Sequence, residues 1–347
     1  MNEFELIERI FLQMQADYLP SDAIKKGIEK GIGDDAAVMS LPVGARLVSC
    51  IDTLVQGRHF HADFEQVNKL AFEIGYKAVA VNVSDIAAMG ATPHSILLAL
   101  ALPEQLANSD WLTVFAKGLF HACRLFGVTL IGGDTTRSEQ LVISVSAQGL
   151  LTADTPAVYR SGAQVGDKVY VSGTLGDAAY ALEFPDSPQG TELTHRLHMP
   201  TPRITLGAAL ASAGATAMID ISDGLYQDLG HICQQSGVSM QLNLEQLPTS
   251  DSLRSVDLSK RLLCQLAGGD DYELAFTLPA HIEPPAGNTP ITCIGKVIAL
   301  TESTATDKNT STALRPELFY SNQLVTPTQP APFSTWPNIT GYQHFTG

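Results

Sequence analysis

The chain has 347 residues, 45% hydrophobic and 16% charged, with 36 acidic against 21 basic residues and a formal net charge of −15 at pH 7. Two domains with separate cores fit that length, since a single core rarely grows beyond ~250–300 residues. So acidic a surface repels phosphodiester backbones and anionic lipid, which argues against nucleic acid and membrane as partners; a small anionic substrate stays admissible if metal ions cancel the repulsion.

The five cysteines (Cys50, Cys123, Cys233, Cys264, Cys293) are scattered, with no C-x-x-C. This is the pattern of reduced thiols, not of a disulfide frame or a zinc site. At the start of the chain, Phe4, Ile7, Phe11 and Met14 recur at helical spacing, so the segment reads as a folded helix and not a signal peptide. No apolar run reaches the roughly 20 residues of a membrane span. A soluble, cytoplasmic protein is expected.

A turn-rich stretch, KGIEKGIGDDAAV, precedes the strand-like RLVSCIDTLV. Residues 66–89 read as one or two helices stopped by Gly90. SILLALAL is a buried strand. From Asp110 to Phe126 runs an amphipathic helix with Trp111, Val114, Phe115, Leu119 and Leu125 on one side, and Gly127 closes it. Then come a short strand VTLI, a loop GGDTTR and an alternating strand from Leu141. LTADTPAVYRSGAQVGD is the expected junction, giving domains 1–150 and 151–347. Beyond it KVYVSG, AMIDISDG and VSMQLNL begin as strands. ITLGAALASAG, LYQDLGHICQQSG and KRLLCQLAG are helical, and GGDDYE is a loop before the strand LAFTL. ITCIGKVIAL is the last strand expected, with irregular chain over 301–332. The fold class is α/β (α+β), with mixed sheets packed by helices in two domains.

Several short segments share one grammar, a glycine or small residue beside aspartate at an element edge: GIGDD at 31–35, IDT at 51–53, NVSD at 82–85, GGDTT at 132–136, DISDG at 220–224 and GGDDYE at 268–273. Carboxylates suit Mg²⁺, and glycine turns let backbone N–H groups approach phosphates. Singly, each pair is as readily a turn. Asp85 differs, because it interrupts the apolar AVAVNVSDIAAMG, where a carboxylate needs a metal, a salt bridge or a capping role. No G-x-x-x-x-G-K-[ST], H-R-D, D-F-G or H-E-x-x-H occurs, and Gly31-Ile32-Gly33 is a weak dinucleotide signal.

In this order, GIGDDAAV, IDTLVQGRHF, KAVAVNVSDIAAMGA, LIGGDTTR, YRSGAQVGD, IDISDGLYQDLGHI, GGDDYELAFT and the closing GYQHF resemble the successive motifs of the thiamine-monophosphate kinase family. The resemblance runs from about residue 3 to the end and is carried by combination and order. It implies the two-domain architecture of aminoimidazole-ribonucleotide synthetase and its relatives. ATP and several Mg²⁺ ions would be held between the domains of a homodimer joined through its N-terminal domains.

Transferred motif by motif, it implies metal ligation by Asp35, Asp52, Asp85 and Asp134, joined by Asp220 and Asp223 of the second domain. The Cys50–Ile51 pair flanks Asp52 at the metal site, and Ile51 has a backbone carbonyl to offer. ATP contacts would come from Gly133, Asp134, Arg160 and Ser222, and thiamine monophosphate contacts from His59, Asp270 and Tyr342. Read without the family, Arg160 is a junction salt bridge, His59 a loop residue and Tyr342 a packing residue of the tail.

The chain departs from the family's habit at three places. Cys50 and Ile51 stand where two small hydroxyl residues are common. Asp270 replaces a glutamate, and the Ser/Thr/Pro-rich stretch before Trp336 is long. The implied activity is direct in-line transfer of a phosphoryl group from ATP to thiamine monophosphate, the last step in making thiamine diphosphate. An already anionic acceptor needs no strong general base. The alternatives are another ATP-dependent enzyme of the superfamily or a non-catalytic nucleotide sensor.

Overall fold

The computed structural model describes residues 7–18, 27–300 and 314–325, so Trp336, Tyr342 and the GYQHF motif lie outside the described residues. The chain divides into two compact units, Met1–Ala87 with Ala91–Thr155, and Ala88–Gly90 with Pro156–Gly347. Among the described residues no helix is long and apolar enough to cross a membrane.

The first unit opens with a π-helical turn, Ile7–Leu12, running into α1 (Gln13–Tyr18). Its Phe11 is buried edge-on against Phe120, ring centroids 6.5 Å apart. Two short antiparallel strands, β1 (Ile28–Lys30) and β2 (Val38–Met39), bracket the GIGDD loop. Then follow β3 (Arg46–Val55), α2 (Phe64–Lys69), α3 (Ala71–Ala88), β4 (Thr92–Leu102), α4 (Ser109–Phe126), β5 (Thr129–Arg137) and β6 (Val142–Leu151).

The four long strands make a sheet in the order β3-β6-β4-β5, antiparallel except for the β4–β5 pair. Caps are where the sequence signals them: Asp63 accepts from the Glu65 N–H, Asn108 from Trp111 N–H, and Gly127 closes α4 at φ 71°. A hydrogen bond from Trp111 Nε1 to the Val67 carbonyl (3.2 Å) ties α4 to α2.

Three expectations change here. GGDTTR is not a loop but the second half of β5, because its backbone continues the parallel ladder beside Leu97–Leu102. Val114 and Leu125 are exposed. The buried stripe of α4 runs instead through Trp111, Leu112, Phe115, Leu119, Phe120 and Phe126. SILLALAL is buried on one face only, with Leu97 and Ala99 outward as strand alternation requires.

The second unit contains β7 (Lys168–Ser172), α5 (Asp177–Glu183), α6 (Pro188–His198), α7 (Ile204–Ala213), β8 (Ala217–Asp220), α8 (Leu225–Ser236) and β9 (Ser239–Asn243). After a 3-10 turn come α9 (Asp251–Arg254), α10 (Leu258–Ala267), β10 (Leu274–Leu278), β11 (Ile291–Ile298), β12 (Glu317–Tyr320) and β13 (Gln323–Leu324). The sheet order is β13-β12-β9-β11-β7-β10-β8, with β12 parallel to β9.

Strand alternation sorts its side chains into two cores. Val169, Val171, Ile219 and Ala275 pack with Leu225, Leu229 and Ile232 of α8 and with Leu262 and Leu266 of α10. Tyr170, Met218, Leu274 and Phe276 turn the other way, onto Leu210 and Ala211 of α7. β11 is therefore not the last strand: residues 317–324 form a hairpin seated by Leu318, which is buried in the first of these cores. Helices α5 and α6 were not among the expected elements; α6 starts at Ser187-Pro188, an N-cap followed by proline at the first helical position.

Candidate active site

In the first unit the predicted residues fall into two groups. The first lies where β3 meets α3. Cys50 and Asp52 sit on the strand face turned towards the helix, while Ile51, 66% exposed, points to the opposite face. Its side chain cannot join them.

Asn82 organises this group. Its Nδ2 donates to Ala78 O (3.0 Å), and its Oδ1 accepts the Asp52 N–H (3.0 Å); the Cys50 thiol donates to its carbonyl (3.4 Å). Burial, then Asp85 and Asp52, push the Cys50 thiol far up, so it stays protonated and marks both carboxylates as close. Asp85 lies inside α3, which rules out a capping role, and it is only half-buried, at an opening in an otherwise buried helix.

The second group lines a cavity of about 440 Å³ walled by Phe11, Leu98 and Leu130, with Gly33, Asp34, Asp35, Gly133 and Asp134 around it. Asp34 is exposed. The Asp35 N–H (3.0 Å) and then Lys30 (3.4 Å) hold its carboxyl below the usual range.

A register irregularity between Ile96 and Leu97 makes a β-bulge opposite Ile131. Gly133, two residues on, adopts φ 155°, and a Cβ there would lie 1.8 Å from the Leu98 carbonyl oxygen; only glycine fits. The ladder sets Asp52, Val145, Leu98 and Gly133 in one row and Thr53, Ser144, Ala99 and Asp134 in the next. Asp52 and Asp134 thus lie on opposite faces, three strands apart, or roughly 14 Å.

Among the described residues no group of three or more His, Cys, Asp or Glu is gathered closely enough to hold a metal by itself. The oxygen donors nevertheless fit Mg²⁺, which typically takes one or two carboxylates and fills its octahedron with phosphate oxygens and water. A protonated thiol adds little to such a hard-ion site.

His59 follows β3, and its Nδ1 accepts the Val55 N–H (3.0 Å), which places the proton of a neutral ring on Nε2. Beside it a cavity of about 500 Å³ is lined by Val55, Gln56, Gly57, Arg58, Ala62, Phe64, Glu139 and Gln140.

In the second unit the IDISDG and GGDDYE motifs come together. Asp220 is buried at the end of β8, in register with Leu274. The loops beyond are laced by Asp270 N–H to Ser222 O, Tyr272 N–H to Ile221 O and Ile221 N–H to Glu273 O, each 2.8 Å. Ser222 is exposed, and Asp223 and Asp270 are half-buried. Asp223 accepts from Gln227 Nε2 (3.0 Å), and Asp270 from the Tyr272 hydroxyl (3.0 Å).

Neither Ser222 nor Asp223 caps α8. Asp228, one turn inside the helix, reaches back so that one oxygen accepts the N–H groups of Ser222 (3.1 Å), Asp223 (3.2 Å) and Gly224 (3.1 Å). Burial, then Asp220 and Asp223, raise its pKa well above the carboxylate range against those bonds. Arg160 is exposed. Burial and then Arg160 lower the pKa of His231, and Asp223 opposes them, so the three form one neighbourhood.

Asp228 and His231 escaped sequence reading because both lie within a helix, outside the glycine–aspartate turns that marked the other residues. The i to i+5 spacing from Asp223 to Asp228 was the available signal.

Comparison with known proteins gives this arrangement its context. Residues 33–151 match the family model described as AIR synthase related protein, N-terminal domain, and residues 164–279 match its C-terminal domain. Thiamine-monophosphate kinase of Haemophilus influenzae is 40% identical over 310 residues, covering 86% of this chain and 89% of that one. A crystal structure of thiamine-monophosphate kinase from Stenotrophomonas maltophilia superposes with a TM-score of 0.73 at 40% identity, over 87% of this chain and 95% of that one. AaThiL complexed with AMPPCP and TMP superposes with a TM-score of 0.70 at 31% identity, over 99% and 97%. The chain belongs to the thiamine-monophosphate kinase family.

Proposed function

We propose that this protein transfers the γ-phosphoryl group of ATP directly to the phosphate of thiamine monophosphate, yielding thiamine diphosphate and ADP. The observation that carries the reading is the pairing of Asp35 and Asp134 on one cavity, at a strand bulge where Gly133 leaves the backbone uncovered. Backbone N–H groups and carboxylates around an uncovered strand suit a nucleotide whose phosphates arrive with a divalent cation.

Mg²⁺ ions are proposed at Asp35 and Asp134, at Asp52 and Asp85, and at Asp220 and Asp223. Bound there, they would neutralise charge on the transferring phosphoryl group.

Gly133, Asp134, Arg160 and Ser222 contact ATP in this reading. His59, Asp270 and Tyr342 contact thiamine monophosphate. His59, with its proton on Nε2, acts as a hydrogen-bond donor to an anion and not as a base. A phosphate monoester oxygen is already nucleophilic near neutral pH, so no side chain need remove a proton from it.

A homodimer is part of the same reading. Ile51 and Leu97 flank Ser146 in one ladder row, and Ile51, Leu97 and Leu47 are exposed on the outer face of the first sheet, which a second copy would cover. Its five unpaired cysteines suit the cytoplasm.

The test is a coupled assay of ADP release at saturating Mg²⁺ with thiamine monophosphate, and thiamine as control. Turnover with the monophosphate alone is expected. No turnover with it rejects the kinase reading, and turnover with thiamine instead corrects the acceptor.

A further inference from the structure

Beneath the GGDDYE loop lies a buried cluster of charge that the phosphoryl-transfer chemistry does not use. The Glu273 carboxylate is completely buried. Its Oε2 accepts from the Ser172 hydroxyl (2.6 Å) and Arg203 Nε (2.6 Å), while its Oε1 accepts from an Arg196 guanidinium nitrogen (2.9 Å) and a second Arg203 nitrogen. Gly173 makes the room, since a Cβ there would lie 2.1 Å from Glu273 Oε1.

Around this pair stand two more buried carboxylates. Asp177 lies 3.8 Å from Arg196 Nε and accepts from Thr174 and Ser250, and Asp271 accepts the Gly176 N–H with both oxygens (3.0 Å). Three acidic side chains and two guanidinium groups therefore share one largely buried setting.

Such a cluster is a poor stabiliser. Desolvation cancels most of the Coulomb gain, and apolar side chains of equal volume are often as stable. Its effect is to fix geometry, and the geometry it adjoins is strained. Asp270 (φ 58°) and Tyr272 (φ 50°) are non-glycine residues in the left-handed region, flanking Asp271, with Gly269 (φ 70°) before them. Such a conformation is costly for a residue with a side chain and persists only where its surroundings over-determine it.

Glu273 follows at once. Its side chain is clamped by both arginines, its carbonyl receives the Ile221 N–H, and Ser172 Oγ accepts the Leu274 N–H (2.9 Å) on its other side. Anchoring Glu273 thus anchors one end of the strained turn and, through Ile221, the turn that carries Ser222 and Asp223.

We propose that Arg196, Arg203 and Glu273 are positioning residues that hold the left-handed Asp270–Tyr272 turn, so that Asp270 is presented to the acceptor substrate. The substrate half of this inference rests on the reading of Asp270 given above. The arginine fork matters as much as its charge, because a lysine makes a point contact and cannot hold both carboxylate oxygens in a plane.

The test compares wild type with Arg203→Lys and Arg196→Lys by steady-state kinetics, thermal melting and amide hydrogen exchange of the ligand-free protein. In Arg203→Lys the KM for thiamine monophosphate rises about tenfold, the scale of a small misplacement, and the KM for ATP changes less. Exchange accelerates over residues 268–273 and 221–224. Arg196→Lys, which removes a single contact to Glu273, moves the same quantities in the same direction by a smaller factor and covers the case in which Arg203→Lys fails to fold.

A lowered melting temperature with both KM values and loop exchange unchanged overturns the proposal, since that is what a merely structural cluster would give. If wild type itself does not turn over thiamine monophosphate, the kinase reading fails. The exchange measurement then still decides the positioning claim, and no acceleration confined to these two loops overturns it.

Discussion

The two units use the same side chain in opposite ways. In the first, Asp34, Asp35 and Asp134 are exposed around an open cavity, and Asp52 and Asp85 are half-buried beside a polar Asn82. In the second, Asp220, Asp228, Asp271 and Glu273 are buried; Asp228 and Glu273 each accept three or more hydrogen bonds, and Asp271 takes one N–H with both oxygens. Within the DISDG and GGDDYE motifs, Asp223 and Asp270 are partly open. A carboxylate with open coordination is available to a cation. One saturated by N–H and guanidinium donors is part of the frame. Exposure and donor count separate ligand-facing residues from scaffolding better than motif membership does.

The comparison breaks most visibly at Glu273. Glu273→Ala leaves two largely but not fully buried guanidinium groups without their main acceptor and should cost about 3 kcal/mol, the lower end for breaking a buried pair, read by urea unfolding. A loss under about 1 kcal/mol would mean the cluster is wetter than its burial implies. Gly133→Ala comes next. Its Cβ collides with a backbone carbonyl, so the strand must shift, at about 1–3 kcal/mol of stability and with loss of ATP affinity. Unchanged nucleotide binding would remove the bulge from the site.

Asp271 gives the pH-dependent contrast. Burial raises its pKa well above the carboxylate range, so the folded state keeps a proton that the unfolded chain gives up. Stability from this group is full below the ordinary carboxylate pKa and is lost as pH rises from there through the raised value. Asp271→Asn should therefore flatten the fall of melting temperature over that window; an unaltered slope would show that Asp271 is ionised in the fold. Smallest is Cys50→Ser, which sets an oxygen beside Asp52 and Asp85. It should tighten apparent Mg²⁺ affinity by no more than about tenfold, the lower edge for residues flanking metal ligands. Weakened affinity would mean that the thiol itself is a ligand.

Most elements were legible in the sequence because their signals are local: Gly127 closes one helix, and the strands of the second sheet alternate between two cores. The helices over 177–198 were not expected, although Ser187-Pro188 is a local start signal for the second of them. GGDTTR misled because glycine and aspartate are turn residues by default, and only the partner strand Leu97–Leu102 shows that this backbone is extended. Residues 317–320 were missed because four residues gain their pairing from β9, about 75 positions away.

For the site, motif order put forward a set of aspartates and left open which of them share a neighbourhood. Asp52 and Asp134 read alike as isolated motifs, and register alone puts them on opposite faces. Arg196 and Arg203 carry no motif, and nothing local announces that both meet Glu273, some 70 residues on.

The most direct test of the account is ADP release with thiamine monophosphate, measured across a Mg²⁺ titration for wild type and Asp134→Asn. The account predicts saturable turnover in wild type. In the variant it predicts an unchanged melting temperature, a Mg²⁺ midpoint displaced upward and a maximal rate lower by about a hundredfold, the scale for losing one group that stabilises transition-state charge. An Asp134→Asn protein with wild-type midpoint and rate would contradict it.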